Sequence, residues 1–276
     1  MGSSPSSASS FRMVSCILAF YLAVGAGLGA APQTVSQTPV KTTPSPDELY
    51  AGRVDLAKAK AAADIWQQRA ADGRDYESLW KLSRASYYLG TLGPKGDQSA
   101  ALERGITAGK QAAALQTDKP EGHFWYAANM GEKAQRSSKF TALGMKGDIK
   151  SELERVIAIQ PGWQGGSGES ALGEWYLKVP DTFMCCGGDH KKGIELLRKA
   201  LTYDADSKQV KFSLAEALAD DDKTRAEARS LLQQVITAPV DPEWVAEDQN
   251  FQAKAKVLLD KLSSKKDVPF TPASSS

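Results

Sequence analysis

The sequence has little net charge, few cysteines and few histidines. Lysine and arginine number 34 against 33 aspartate and glutamate residues, so the formal charge is +1 at pH 7. A chain this close to neutral is a poor electrostatic partner for a polyanion, which excludes nucleic-acid binding driven by net charge. Three cysteines in 276 residues exclude a disulfide-dense mini-protein. The sequence therefore predicts no nucleic-acid partner.

Motifs typical of enzymes are also absent. No HExxH, GxSxG or dinucleotide-binding fingerprint occurs, so no hydrolase, kinase or dehydrogenase site is recognisable. The sequence predicts a protein that is not an enzyme and that uses no cofactor. With 42% hydrophobic and 24% charged residues, the chain can build a core and is too polar for a multi-span membrane protein.

The N-terminal segment carries an apolar run without charge. Residues 13–23 are apolar and lead into a stretch of glycine and alanine that ends at Ala31. This order is typical of a cleaved secretory signal peptide, which predicts residues 1–30 as a signal peptide and the protein as exported, periplasmic or associated with the cell envelope. A retained membrane anchor is the alternative, because residues 13–31 are long enough to cross a bilayer. Membrane contact is expected only through this segment, if it is uncleaved.

The remaining chain divides into a folded body between two polar segments. Residues 31–46 are rich in proline, threonine and serine and predict a flexible linker. Residues 47–262 show helical periodicity throughout and no alternating strand, which predicts an all-α domain. Residues 263–276 are polar and end in three serines, which predicts a disordered tail.

Capping residues and prolines mark the ends of the predicted helices. The first helix is expected to run over Pro46–Ala71 without interruption. Asp75 opens the next helix as its N-cap, and Pro120 opens another further along the chain. On that last helix, Ala127 and Gly131 lie one turn apart and are expected to let a neighbouring helix approach closely.

Three stretches that precede turns can be laid over one another, which indicates internal repeats. They are residues 112–120, 156–161 and 200–205, and each runs from the aliphatic end of a helix into a turn. The spacing from Ala205 to Pro239 equals the 34-residue period of the tetratricopeptide repeat, and the other spacings are longer. The predicted fold is an α-solenoid of degenerate tetratricopeptide-type helix pairs with a C-terminal capping helix.

Several segments resemble known helical-repeat families. Residues 191–201 match the second helix of a tetratricopeptide repeat. Residues 80–90, 122–131, 171–176 and 187–189 resemble the T-components of TRAP (tripartite ATP-independent periplasmic) transporters and, more distantly, the regulator of microtubule dynamics family. The resemblance implies an exported accessory protein that binds a protein partner, such as a periplasmic solute-binding protein. It leaves open a small organic ligand and a homo-oligomer.

A general protein–protein interaction scaffold of the cell envelope is the alternative function. Aromatic side chains on the concave face of a solenoid are its natural contacts with a ligand or partner. The candidates are Trp80, Tyr87, His123, Trp125, Tyr126, Trp175 and Tyr176. The alternative at each position is a structural role, because aromatic residues at helical spacing fill the core of such repeats.

One loop contains the residues with the strongest potential for metal chemistry. Cys185 and Cys186 are adjacent, and His190 follows them. Thiolate and imidazole are the ligands that Cu(I) and Zn(II) prefer, so these three residues form a candidate metal or thiol-redox site. A disulfide between the two neighbours is a second interpretation. The third is a helix-to-helix turn in which Asp189 caps the next helix and the thiols fill apolar space.

Overall fold

The computed structural model describes residues 44–180 and 187–264, and within these ranges every regular element is a helix. The all-α prediction is therefore confirmed. None of these helices is long and apolar enough to span a bilayer. The eleven helices of the described ranges are α1 Pro46–Ala51, α2 Leu56–Arg69, α3 Tyr76–Leu92, α4 Gln98–Leu115, α5 Pro120–Arg136, α6 Lys139–Ile159, α7 Trp163–Lys178, α8 His190–Tyr203, α9 Lys208–Leu218, α10 Arg225–Thr237 and α11 Val245–Ser264.

The prediction of one continuous helix over Pro46–Ala71 is wrong, because the chain turns between α1 and α2. Asp55 is the N-cap of α2, and its side chain accepts a hydrogen bond from the Ala57 amide at 2.9 Å. An aspartate that satisfies a free amide at a helix start stabilises a new helix rather than the continuation of the old one. The turn also buries the side chain of Arg53, which is only 7% exposed.

The helices form two layers. The odd-numbered helices from α3 to α11 contact one another in chain order, and they form the inner layer. The even-numbered helices α2, α4, α8 and α10 pack outside them, each against its neighbours along the chain. This arrangement is the helix-pair packing of an α-solenoid, in which each pair buries its apolar face against the next. The predicted solenoid is confirmed, with α11 as its last helix.

Glycine sets the separation of α4 and α5, but at different positions from those expected. A Cβ atom on Gly109 or Gly122 would meet backbone atoms of the facing helix at less than 3.0 Å. A Cβ atom on Gly131 would meet nothing within 4 Å. The prediction that Gly131 allows a close helix approach is wrong, because that position faces the open interior of the solenoid.

The buried side-chain amide of Asn129 joins two inner helices, α3 and α5, to the outer helix α4 in the N-terminal half of the solenoid. The side chain of Asn129 is fully buried, and its Nδ2 donates to the carbonyl oxygens of Ser83 at 3.1 Å and Trp125 at 2.7 Å. The hydroxyl of Ser83 in turn donates to the carbonyl oxygen of Gly105 at 2.8 Å. These bonds connect α3, α4 and α5 in a region without access to water.

We expect replacement of Asn129 by alanine to lower the free energy of unfolding by about 1–3 kcal/mol, because buried hydrogen-bond acceptors lose their donor. Urea denaturation followed by circular dichroism would measure the change. Gln68→Ala is the control, since Gln68 is exposed on α2 and a surface substitution should change stability by no more than about 0.5 kcal/mol. Equal stabilities of the two variants would contradict a structural role for this amide.

Candidate binding cavity

A cavity of about 2300 Å³ lies inside the curve of the solenoid. It is lined by residues of α1, of the inner helices α3, α5, α7, α9 and α11, of α6 between Lys139 and Leu153, and of the segment before α11. We call this space the central cavity. Pockets for small molecules usually measure about 300–1,000 Å³. The central cavity is therefore large for a single metabolite and has room for an extended segment of a larger partner.

The central cavity has walls from both the first and the last described helices, because the turn after α1 contacts the start of α11. The Nε of Arg53 donates to Glu247 at 2.9 Å, and its Nη2 donates to the carbonyl oxygen of Glu243 at 2.6 Å. The guanidinium carbon also lies 5.1 Å from the ring centroids of Tyr50 and Trp244. Arg53 and Glu247 are 194 residues apart in the sequence. We call this contact the end seam.

Aromatic rings form an apolar wall in the middle of the central cavity. The ring centroid of Trp125 lies 5.7 Å from that of Tyr87 and 5.0 Å from that of Phe124, and all three residues line the cavity. Burial raises the pKa of Tyr87, so its hydroxyl stays neutral in the physiological range. The indole Nε1 of Trp125 is buried and has no hydrogen-bond partner among the described residues. A partner that enters the cavity thus meets an aromatic surface whose rings are inclined to one another.

Paired charges surround this aromatic wall. Glu174 accepts a hydrogen bond from Ser213 at 2.7 Å and forms an ion pair with Lys178 at 2.9 Å. Burial acts to raise the pKa of Glu174, but Lys178 and the hydrogen bonds together hold it below its usual value. Lys208 and Asp248, which also line the cavity, form an ion pair at 2.6 Å, with both side chains about one-tenth exposed. The charges of these two pairs are therefore neutralised within the protein.

The family of this chain follows from residues 45–182. The sequence model of a family described as regulator of microtubule dynamics protein 1-3 matches residues 45–182, which is half of the chain. The chain belongs to this family. The match covers α1 to α7 and hence the end of the central cavity that carries Tyr87 and Trp125.

One of the similar solved structures supports the solenoid fold of this chain. TTC0263, a thermophilic tetratricopeptide protein of Thermus thermophilus, is 18% identical and superposes with a TM-score of 0.56, covering 78% of this chain and 97% of that chain. MamA (41-end) of Desulfovibrio magneticus RS-1 is 17% identical, with coverages of 75% and 94% and a TM-score of 0.45. No curated protein sequence matches this chain. The tetratricopeptide-type prediction is confirmed, whereas the transporter T-component receives no support.

The structure brings three of the predicted contact residues into the central cavity of this regulator of microtubule dynamics family member. Tyr87 and Trp125 belong to the aromatic wall, and Trp175 lines the cavity further along. The indole Nε1 of Trp175 donates to the carbonyl oxygen of Lys146 at 3.0 Å, which fixes the ring against α6. These three residues lie on α3, α5 and α7, at successive positions of the inner layer.

The other four predicted contacts lie outside the cavity lining. His123 is buried between helices, where its Nδ1 contacts Glu152 at 2.5 Å. Tyr126 packs in the core of α5 to α7. Tyr176 is buried beneath Lys192, whose Nζ lies 4.5 Å from the ring centroid. Trp80 is half-buried against the N-terminal core, next to a cavity residue but not in the lining.

The candidate metal loop lies largely outside the described residues. Cys185 and Cys186 fall in the range that the structure does not describe. His190 is exposed at the first residue of α8, and Asp189 caps that helix by accepting a hydrogen bond from the Lys192 amide at 2.9 Å. Within residues 44–180 and 187–264, no group of three or more histidine, cysteine, aspartate or glutamate side chains could hold a metal ion.

The charged and aromatic residues of the end seam and its surroundings were not predicted from the sequence. Tyr50, Arg53 and Arg84 all line the central cavity. Charged residues on a helix usually mark its solvent side, and helical periodicity does not distinguish an outer surface from the open inside of a solenoid. The one available signal was Gly52 followed by Asp55, a helix end and a new N-cap that would have placed Arg53 in a turn.

Proposed function

We propose that this protein is a non-catalytic protein-interaction scaffold that holds a segment of a partner protein in its central cavity. The observation that carries the proposal is the cavity itself, with its volume of about 2300 Å³ and its wall of Tyr87, Phe124 and Trp125. Aromatic anchors surrounded by polar groups are typical of protein-binding sites. Membership in a family described as regulators of microtubule dynamics also agrees with a protein partner.

The narrower interpretations remain predictions from the sequence. A small organic ligand would fill only part of the central cavity, so it is the weaker candidate for an occupant. A periplasmic solute-binding partner, a homo-oligomer and an exported location rest on the sequence alone, and residues 1–30 lie outside the described ranges.

Site-specific photo-cross-linking tests the scaffold proposal. A benzophenone amino acid placed at Tyr87 is expected to cross-link a partner polypeptide in cells that make the protein, because Tyr87 lines the central cavity. Mass spectrometry of the adduct should map the cross-link to one contiguous segment of that partner. Adding Trp125→Ala should reduce the yield severalfold, since the aromatic wall loses its largest ring.

The control carries the same benzophenone at Val257, which lies on α11, is 71% exposed and does not line the cavity. A partner held in the cavity gives adducts from Tyr87 and not from Val257. The same adducts from both positions, or none from Tyr87, would contradict the proposal.

A further inference from the structure

Arg84 is a cation of the central cavity that forms no ion pair, although the charge of Asp47 acts on it from a distance. It is half-buried on α3 and lines the cavity, and no described residue forms a hydrogen bond or an ion pair with it. Its Nε is buried without a hydrogen-bond partner. Burial lowers the pKa of Arg84, although a guanidinium keeps its proton at neutral pH. A buried charge without a partner costs free energy that an anionic ligand could recover.

Four other cations of the cavity form ion pairs. Arg53 pairs with Glu247, Lys178 with Glu174 and Lys208 with Asp248, all at 2.9 Å or less. Arg136 pairs with Glu132 at 2.6 Å. Lys139, Lys146 and Lys254 also line the cavity without an ion pair among the described residues. Arg84 differs from these lysines because one of its nitrogens is buried without a hydrogen-bond partner.

Aromatic rings hold the guanidinium of Arg84 in place. Its carbon lies 4.2 Å from the ring centroid of Tyr50, 5.0 Å from that of Trp80 and 5.9 Å from that of Trp66. Rings attract a cation over their faces, but they accept none of the in-plane N–H groups. Those N–H groups form a rigid fork that matches the two oxygens of a carboxylate or the oxygens of a phosphate.

The neighbouring charges favour a carboxylate over a phosphate. Arg53 is compensated by Glu247, and Lys81 is compensated by Asp47 at 2.8 Å. Lys81 also pairs with Glu77 at 2.5 Å, so the excess charge beside the fork is no more than one positive charge, which a single carboxylate neutralises. A phosphate group, with nearly two negative charges at neutral pH, would leave an excess of negative charge next to Asp47 and Glu247.

We propose that Arg84 binds a carboxylate group of an acidic segment of the partner protein. This inference rests on the proposed function, because the segment that carries the carboxylate would continue along the central cavity. Tyr87 lies one turn further on α3 and Trp125 adjoins it, so the residues beside the carboxylate would lie on the aromatic wall. Arg84 fixes the position of the segment, and the wall supplies its apolar contact.

Fluorescence anisotropy with the full chain tests the assignment. One probe is a fluorescein-labelled decapeptide of alternating glutamate and serine, and the second has glutamine in place of each glutamate. We expect the glutamate peptide to bind about tenfold more tightly, as one charge-assisted pair predicts. Arg84→Met should abolish this preference, and Arg84→Lys, which keeps the charge and loses the fork, should lower it.

Arg198→Met is the matched control. Arg198 pairs with Glu227 at 2.7 Å outside the cavity lining, so its loss removes the same charge without touching the site. Its preference for the glutamate peptide should equal that of the wild type. Circular dichroism of all three variants would check that each is folded.

Several results would overturn the assignment of Arg84. These are equal affinities of the two peptides for the wild type, no detectable binding of the glutamate peptide at millimolar concentration, and an unchanged preference in Arg84→Met. Acetate that displaces the glutamate peptide at an equal carboxylate concentration would show that a small acid, not a peptide, is bound. Equal affinities that both fall in Trp125→Ala would overturn the Arg84 assignment alone and leave the scaffold proposal intact.

Discussion

Replacement of Arg53 by alanine is expected to lower the free energy of unfolding by about 3 kcal/mol. The side chain is 7% exposed and joins the turn after α1 to Glu243 and Glu247 at the start of α11. Its loss leaves the carboxylate of Glu247 in a partly buried site without a cation, and breaking such a pair costs several kcal/mol. Urea denaturation followed by circular dichroism would measure the effect.

Two further variants distinguish the loss of the end seam from the general effect of removing a positive charge. Arg53→Lys keeps the charge but cannot donate to Glu247 and to the Glu243 carbonyl oxygen in the same fork, so we expect an intermediate loss. Arg198→Ala removes an exposed pair with Glu227 and should cost no more than about 1 kcal/mol. An Arg53→Ala variant within about 0.5 kcal/mol of the wild type would mean that the end seam does not hold the two ends together.

Replacement of Gly109 by alanine is expected to cost about 2–3 kcal/mol, because the added methyl group strains a well-packed interface. A Cβ atom at this position would lie 2.8 Å from both the backbone nitrogen and the Cα atom of Tyr126. Backbone atoms of a packed helix cannot move aside as the end of a flexible side chain can, so α4 and α5 must separate. Thermal and urea unfolding of Gly109→Ala would measure the loss.

Gly131→Ala on the facing helix is the matched control. A Cβ atom there meets nothing within 4 Å, and alanine is the better helix former by about 1 kcal/mol. We therefore expect Gly131→Ala to be as stable as the wild type or more stable. Similar losses in both variants would contradict the packing of α4 against α5.

Much of the fold could be predicted from capping residues and helical periodicity. Asp75 and Pro120 open helices at the expected places, since both residues act through local bonds that the sequence alone determines. The break after α1 was missed because the alanine-rich stretch that follows it continues a helical pattern. The end of α1 depends partly on tertiary structure, since Arg53 in the turn after α1 is held by a contact with Glu247, which lies 194 positions later in the sequence.

The candidate site could be predicted only in part. Trp125 and Trp175 were candidates because of their residue type, and their place in the cavity follows from the inner layer to which α5 and α7 belong. His123 and Tyr176 have the same kind of side chain and point into helix interfaces instead. Arg84 has no sequence signal of its own, because the rings of Tyr50 and Trp66 reach it from other helices.

The central claim, that a segment of a partner protein occupies the central cavity, is tested most directly by nuclear magnetic resonance. Backbone amide shifts of the full chain would be compared before and after addition of the partner segment that cross-linking at Tyr87 identifies. We predict that the shifts change along the inner helices α3, α5 and α7 and stay constant along the outer helices α2, α8 and α10. Changes confined to the outer helices would contradict the claim.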